Sequence, residues 1–266
     1  DPNNVDALNA MGAAMRQHRR WLEAEEQFDR ALAADPNSAE LLEDYAEFLL
    51  LVGRTQDALA ITTRGMDIDS RLVPLALAHT DALATNGQAG EARQLAQELA
   101  ETDPTITLFL LPIMLNPALQ PSDVATMAPI ENADDGLSWT ADMVDHVNRV
   151  IEGSSDVESI DALKSHYEPA NIQSVTSDLA YYRILPARIA LVLAKELDYV
   201  IEQDIWWAKQ LDLFPHELNW TPLFAELRAH PRFGEYLDAA GIVAYWDATE
   251  WTDWCQRDAD NRVICK

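Results

Sequence analysis

Three consecutive segments of the chain repeat the same order of small, apolar and turn-forming residues. They run over 5–38, 39–72 and 73–106, so each is 34 residues long and no gap separates them. Within each segment, apolar residues recur at helical spacing on two stretches divided by a short turn. Such a period is typical of stacked helix–turn–helix units, which bury their apolar faces against one another. The pattern therefore predicts an all-α solenoid of three units.

Residue types at equivalent positions fit this packing. Ala24, Ala58 and Ala92 occupy the same place in each unit, where a small side chain lets two helices approach closely. Gly53 and Gly87 fall in the turn between the two helices, where a positive φ favours glycine. We therefore expect each turn to begin the second helix of its unit.

These units resemble the tetratricopeptide repeat, and the resemblance covers residues 1–106. The first unit carries it most fully, with Gly12, Trp21, Phe28 and Pro36 in VDALNAMGAAMRQHRRWLEAEEQFDRALAADPNS. The resemblance implies a curved superhelix whose first helices line a concave groove that binds a protein or peptide. In the same register, residues 1–4 match the last four places of a preceding repeat.

Beyond residue 106 the period fades. Closely spaced prolines predict a connecting segment over 107–137, and helical patterns predict a C-terminal domain over 138–266, giving an irregular helical region after the solenoid. Six of the eight tryptophans lie within 206–254. They are interpreted either as a plug over the open end of the solenoid or as the lining of an aromatic ligand pocket.

The tail over 218–246 resembles the closing segment of bacterial repeat-bearing signalling proteins, among them membrane-anchored winged-helix regulators and adenylate cyclases. The matching residues include Trp220, Pro222, Phe224, Arg228 and Phe233. This resemblance implies an alternative function, that of a ligand-sensing periplasmic ectodomain of a membrane-anchored signalling protein.

The charge balance excludes one class of partner. The formal net charge is -26, from 45 acidic and 19 basic residues, and such a surface repels phosphate backbones. We therefore expect no direct nucleic-acid binding. The longest apolar run, ITLFLLPIML at 106–115, is about half of the ~20 residues that a membrane-spanning helix needs, so we expect no membrane insertion by this segment.

Sequence signatures of catalysis are missing. The chain has no G-x-G-x-x-G, Walker, H-E-x-x-H or G-x-S-x-G motif, and its six histidines are scattered. Acidic pairs are common, as chance allows in so acidic a chain. The sequence therefore predicts no enzyme activity, no cofactor and no metal site.

The two cysteines, Cys255 and Cys265, flank a polar stretch that suits a turn. A disulfide there would stabilise the chain by roughly 2.5–3 kcal/mol on the loop-entropy model. It would also indicate an oxidising compartment, so that the segment would be periplasmic or otherwise exported. The alternatives are reduced thiols, with a cytoplasmic location, and a metal site needing two further ligands.

The resemblance also places a set of exposed residues on the concave face. The predicted partner-binding groove consists of Asp6, Asn9, Arg16, Glu40, Glu43, Asp44, Glu47, Leu50, Leu51, Leu77 and Asp81. This groove is acidic in the middle and has leucines at one edge. We therefore expect a basic, partly apolar protein or peptide as partner, steered by carboxylates and anchored by leucines. The alternative is that the chain's own segment 107–137 fills the groove.

Overall fold

A computed structural model describes residues 2–102, 141–168, 179–210 and 217–266. The proline-rich segment 107–137, and with it the expectation that this segment fills the groove, lies outside the described residues. Across the described ranges the chain is mostly helical, which confirms the predicted all-α repeat class. No helix in these ranges has the length and apolar character required to cross a bilayer.

Six helices form three antiparallel pairs at the N-terminus. They are α1 (Val5–Gln17), α2 (Trp21–Ala34), α3 (Ala39–Leu51), α4 (Thr55–Ile68), α5 (Val73–Thr85) and α6 (Ala89–Thr102). Each start lies 34 residues after the equivalent start in the preceding unit. Contacts join α1 to α2, α3 to α4 and α5 to α6, and the first helices also contact each other in sequence, α1 with α3 and α3 with α5.

Short polar side chains begin two of the first helices. The Asn4 side chain accepts a hydrogen bond from the Ala7 amide at 2.7 Å, and Ser38 accepts one from the Leu41 amide at 3.3 Å. Both bonds satisfy backbone N–H groups that have no partner within the first turn of a helix. The starts of α1 and α3 are therefore encoded locally.

The turns inside the units place one residue each in the left-handed region. Gly53 has φ 79° and Gly87 has φ 76°, while Arg19 stands at the equivalent position of the first unit with φ 53°. A non-glycine residue there costs roughly 1–2 kcal/mol. The guanidinium of Arg19 donates to the carbonyls of Ala208 (2.8 Å) and Ala239 (3.2 Å), which offsets that cost through contact with the C-terminal region.

Aromatic packing joins the first two units. The Phe28 ring lies 5.4 Å from Tyr45 and 5.7 Å from Phe48, centroid to centroid, and the side chains of Phe28 and Phe48 are fully buried. Gly12 allows this arrangement, because a Cβ at that position would lie 2.8 Å from the Phe28 ring. Ala24, Ala58 and Ala92 are likewise completely buried, as the requirement for small residues predicts.

Four further helices follow: α7 (Ala141–Ile151), α8 (Val157–Tyr167), α9 (Leu179–Leu193) and α10 (Leu197–Gln210). Two sequence expectations are corrected here. The cap of α8 is Asp156, which accepts from the Ser159 amide at 2.8 Å, rather than Ser154 or Ser155. Pro186 lies inside α9 instead of breaking the chain between helices.

A buried ion pair joins α9 to α10. Arg188 donates to Asp204 at 2.7 Å, and both side chains are completely buried. Arg188 also donates to Asn219 at 2.8 Å, and the Tyr167 hydroxyl donates to Asp204. Burial is costly for an isolated charge, so the pair depends on these additional hydrogen bonds.

The tail is a set of short elements. Two 3-10 helices, Glu217–Trp220 and Pro222–Phe224, precede α11 (Ala225–Arg228), α12 (Phe233–Ala239) and α13 (Ile242–Ala248). The chain ends in an antiparallel hairpin of β1 (Cys255–Arg257) and β2 (Val263–Cys265), with Cys255 opposite Cys265. A disulfide joins these two cysteines, so the bridge is the alternative found among the three considered.

The tryptophan-rich tail packs on the turns inside the repeats. The indole N–H of Trp21 donates to the Ala240 carbonyl at 2.9 Å, and that of Trp246 donates to the Val52 carbonyl at 2.9 Å. Trp254 donates to Thr55 Oγ1 at 3.2 Å. We call residues 217–266 the plug, since they cover the turn edge of the first two repeats.

Candidate functional site

The candidate site is the face lined by the first helices of the three units, α1, α3 and α5, which we call the inner face. Neighbouring helices of this set are in contact, so side chains from different repeats meet across it. Asp6 and Glu40 are exposed, and Asn9, Arg16, Glu43, Asp44, Glu47, Leu51, Leu77 and Asp81 are partly buried. Leu50 is the member of the predicted set that departs from this pattern.

A polar network joins the first and second repeats across the inner face. The Asn9 amide donates to Asp44 Oδ2 at 2.7 Å, which ties α1 to α3. Arg16 forms an ion pair with Asp44 at 3.5 Å and a shorter one with Glu47. The Arg16 guanidinium also donates to the backbone carbonyl of Asp44 at 3.3 Å. One basic side chain thus satisfies two carboxylates.

Two acidic groups of the inner face hold their protons more tightly than usual. Burial, followed by the negative charges of Glu47 and Asp44, raises the pKa of Glu43 to about 8. Burial and the charge of Glu47 raise the pKa of Asp81 to about 8. Neither carboxyl forms an ion pair with a basic side chain in the described part of the chain. Both groups are therefore largely protonated at pH 7 in the isolated protein.

The expected leucine edge is partly wrong. Leu50 was expected to be exposed in the groove, yet only 1% of its surface is accessible. It belongs to the main core together with Leu218 and Trp220, because the 3-10 helix Glu217–Trp220 contacts both α3 and α5. The plug therefore covers this end of the inner face, and Leu50 cannot anchor a partner.

The other two leucines are also engaged in packing. Leu51 is half-buried against the main core, and Leu77 packs against a small separate cluster that contains Leu83 and Ala92. Both keep some exposed surface. The accessible character of the inner face is therefore more acidic and less apolar than the sequence predicted.

A family model described as a tetratricopeptide repeat matches residues 28–60. The match begins in α2, covers the whole of α3 and ends within α4, so it coincides with the helix pairs seen in the structure. This is a tetratricopeptide-repeat protein. No curated protein and no solved structure matches the chain.

Tetratricopeptide repeats in general mediate protein–protein interactions and are not themselves catalytic. In this tetratricopeptide-repeat protein the first helices carry the unpaired carboxyls and the turns carry the plug. The inner face is thus the part of the repeats where charged groups remain available to a partner.

Three acidic side chains of this face are close enough to act together on a cation. Glu43, Asp44 and Glu47 each offer an oxygen, and these oxygens lie within 4.8 Å of one another. Sequence reasoning dismissed acidic pairs as chance in an acidic chain. The overlooked signal is that Glu47 and Asp81 occupy the same place in successive repeats, so the stacking of α3 and α5 brings their charges together.

A second depression lies where the units are joined. It is an open cleft of about 570 Å³ lined by Asp35, Ser38, Ala39, Glu40 and residues 66–72. Its lining is mostly polar and contains no aromatic side chain. The cleft therefore lacks the apolar, enclosed character of a small-molecule site.

Proposed function

We propose that the protein is a non-catalytic scaffold that binds a basic segment of a partner protein on its inner face. The observation that carries this proposal is the surplus of carboxylates from two repeats, with Arg16 as their basic partner among the described residues. Opposite charge on the partner would relieve that surplus and steer the encounter. The half-exposed Leu51 and Leu77 offer a minor apolar contact.

Binding of a basic segment should release protons. Glu43 and Asp81 have pKa values of about 8, so a cationic side chain placed beside them favours their ionised forms. At pH 7 the enthalpy of binding should then depend on the ionisation enthalpy of the buffer. This proton release separates a partner seated at these two carboxyls from one attracted only by the net charge of the protein.

The test uses a synthetic amphipathic peptide of lysine and leucine, with a glutamate and leucine peptide of equal length as its counterpart. Fluorescence anisotropy is measured on the full chain in EDTA. We expect the lysine peptide to bind, more weakly as salt increases, and the glutamate peptide not to bind. The variant Glu43→Gln with Glu47→Gln should weaken binding by about 3- to 10-fold, roughly 0.7–1.4 kcal/mol.

The matched control removes the same charge elsewhere. Glu26→Gln with Asp67→Asn changes two exposed side chains on the second helices, α2 and α4. This control should leave the dissociation constant unchanged within about twofold, since exposed charges at a distance are screened by salt. Equal weakening by both pairs would show that net charge, rather than the inner face, attracts the peptide.

We also propose that this segment works in an oxidising compartment, periplasmic or otherwise exported. The supporting observation is the Cys255–Cys265 bridge, formed by the only two cysteines of the chain. Structural disulfides persist in such compartments and are rare where thiols are kept reduced. Alkylation of intact cells before lysis, followed by mass spectrometry of the tail peptide, should find both cysteines blocked from the reagent. Labelled thiols would place the protein in a reducing compartment.

The bridge also favours the second candidate function, a ligand-sensing periplasmic ectodomain of a signalling protein. The plug gives that candidate less support, because the side chains of Trp207, Trp220 and Trp246 are buried in the core instead of lining a cavity. The scaffold therefore remains the leading proposal. A small ligand that quenches tryptophan fluorescence and leaves peptide binding unchanged would reverse this order.

A further inference from the structure

Acidic side chains from two neighbouring repeats converge at one point of the inner face. Glu43, Asp44 and Glu47 lie on one side of α3, with oxygens within 4.8 Å of one another. Asp81 on α5 lies near enough for the charge of Glu47 to act on it. Like charges at this spacing repel each other strongly in partly buried surroundings, so the arrangement requires compensation.

Independent of the charges, two oxygen atoms at this point lack partners. Oδ1 of Asp81 is buried and accepts no hydrogen bond, and the same holds for Oδ1 of Asn9. The Asn9 amide nitrogen donates to Asp44, which places the Asn9 side chain beside the carboxylates. Buried oxygen atoms in proteins nearly always have a partner. Two unpartnered oxygens beside a set of carboxylates indicate a positively charged ligand that the chain does not supply.

The chain's own compensation is incomplete. Arg16 pairs with Asp44 and Glu47, and no other basic side chain of the described residues pairs with the four acids. Four carboxyls therefore meet one guanidinium. Glu43 and Asp81 are left without a cation within the described ranges and keep protons in its place.

We propose that Glu43, Glu47 and Asp81 bind a hard divalent cation of the Ca²⁺ or Mn²⁺ type, with the amide oxygen of Asn9 as a further ligand. Carboxylate and amide oxygens are the ligands that such ions take, and waters complete the coordination shell. Asp44 remains with Arg16 and Asn9 and holds the Asn9 side chain in place.

The consequence of such a site is a link between the second and third repeats. The core of the third repeat is small, consisting of Leu83, Ala84, Ala92 and Ala96. An ion held by α3 and α5 would add a connection where apolar packing is weakest. Binding would displace the protons of two carboxyls, because coordinating carboxylates must be ionised.

The test is isothermal titration of the full chain, first treated with EDTA, with CaCl₂ and separately with MnCl₂ at pH 7.5. We expect one saturable site with a dissociation constant of about 10⁻⁵–10⁻³ M and an enthalpy that depends on the buffer. Glu43→Gln and Asp81→Asn should each weaken binding by about 10-fold or more. Glu40→Gln, an exposed acid on the same helix, should stay within about 2-fold of the wild type.

Two results would overturn the proposal. One is no saturable binding of either ion by the folded wild-type chain. The other is equal weakening by Glu40→Gln and Asp81→Asn, which would indicate diffuse attraction instead of a site. Circular dichroism establishes that each variant is folded before it is titrated. Peptide binding is measured in EDTA, so failure of the cation site and failure of the scaffold function are seen separately.

Discussion

The contact between the plug and the second repeat can be tested by adding a single methyl group. Gly53 lies in the turn between α3 and α4 with φ 79°, and a Cβ there would lie 2.8 Å from Cζ2 of Trp220. Gly87 is the equivalent residue of the third repeat, with φ 76°, and a Cβ there would meet no atom within 4 Å. The two glycines therefore share a backbone conformation and differ in the presence of the plug.

The expected magnitudes follow from this difference. An alanine in the left-handed region costs roughly 1–2 kcal/mol at either position. Overpacking against a buried ring adds about 1–3 kcal/mol at Gly53 alone. Gly53→Ala should thus reduce the free energy of unfolding by about 2–5 kcal/mol and Gly87→Ala by about 1–2 kcal/mol.

The assay is urea denaturation of the full chain, followed by tryptophan fluorescence, with the midpoints converted to free energies through a common slope. A double-mutant cycle adds Trp220→Leu, which removes the indole that the new methyl group would meet. In that background the cost of Gly53→Ala should fall toward that of Gly87→Ala. Equal costs for the two glycine variants in the wild-type background, within about 0.5 kcal/mol, would refute the packing of Trp220 on this turn.

Three further outcomes are expected from the described contacts. Replacing Cys255 and Cys265 by serine should cost about 2.7 kcal/mol on the loop-entropy model for a separation of 10 residues, and denaturing the wild type in reductant should give the same loss. Because Glu43 and Asp81 bind protons in the folded state up to about pH 8, against ordinary values of 4.5 and 3.8, the unfolding free energy measured in EDTA should fall as pH rises from about 5 to 9; a chain with glutamine and asparagine at these positions should lose less over that range, and an identical loss would contradict the shifts. Asp204→Ala should cost about 3–5 kcal/mol in the same urea assay by leaving a buried guanidinium without its carboxylate, and a cost below about 1 kcal/mol would show that the pair is not desolvated.

The sequence was sufficient for the repeats because their determinants are local and periodic. Small residues such as Ala58, the turn glycine Gly53 and the 34-residue spacing define each helix pair without reference to the rest of the chain. The pairing of Cys255 with Cys265 across a polar turn was also accessible as one of three alternatives, since the two residues are close in sequence.

The features that sequence reasoning missed depend on contacts between distant segments. Leu50 was expected at the groove edge, but its burial requires the 3-10 helix Glu217–Trp220, which lies more than 160 residues away. The raised pKa values of Glu43 and Asp81 arise from burial and from the stacking of one repeat on the next. Neither effect can be read from the charge of a single segment.

Arg19 has a consequence for how the molecule comes apart. In an ordinary helical solenoid each unit touches only its neighbours, so the array can lose units from its ends one at a time. Here the guanidinium of Arg19 grips the carbonyls of Ala208 and Ala239, and Trp246 holds the next turn through Val52. Because the last third of the chain clasps the first two turns, the opening repeat cannot peel away without tearing these clasps, and the ends of the polypeptide should melt together.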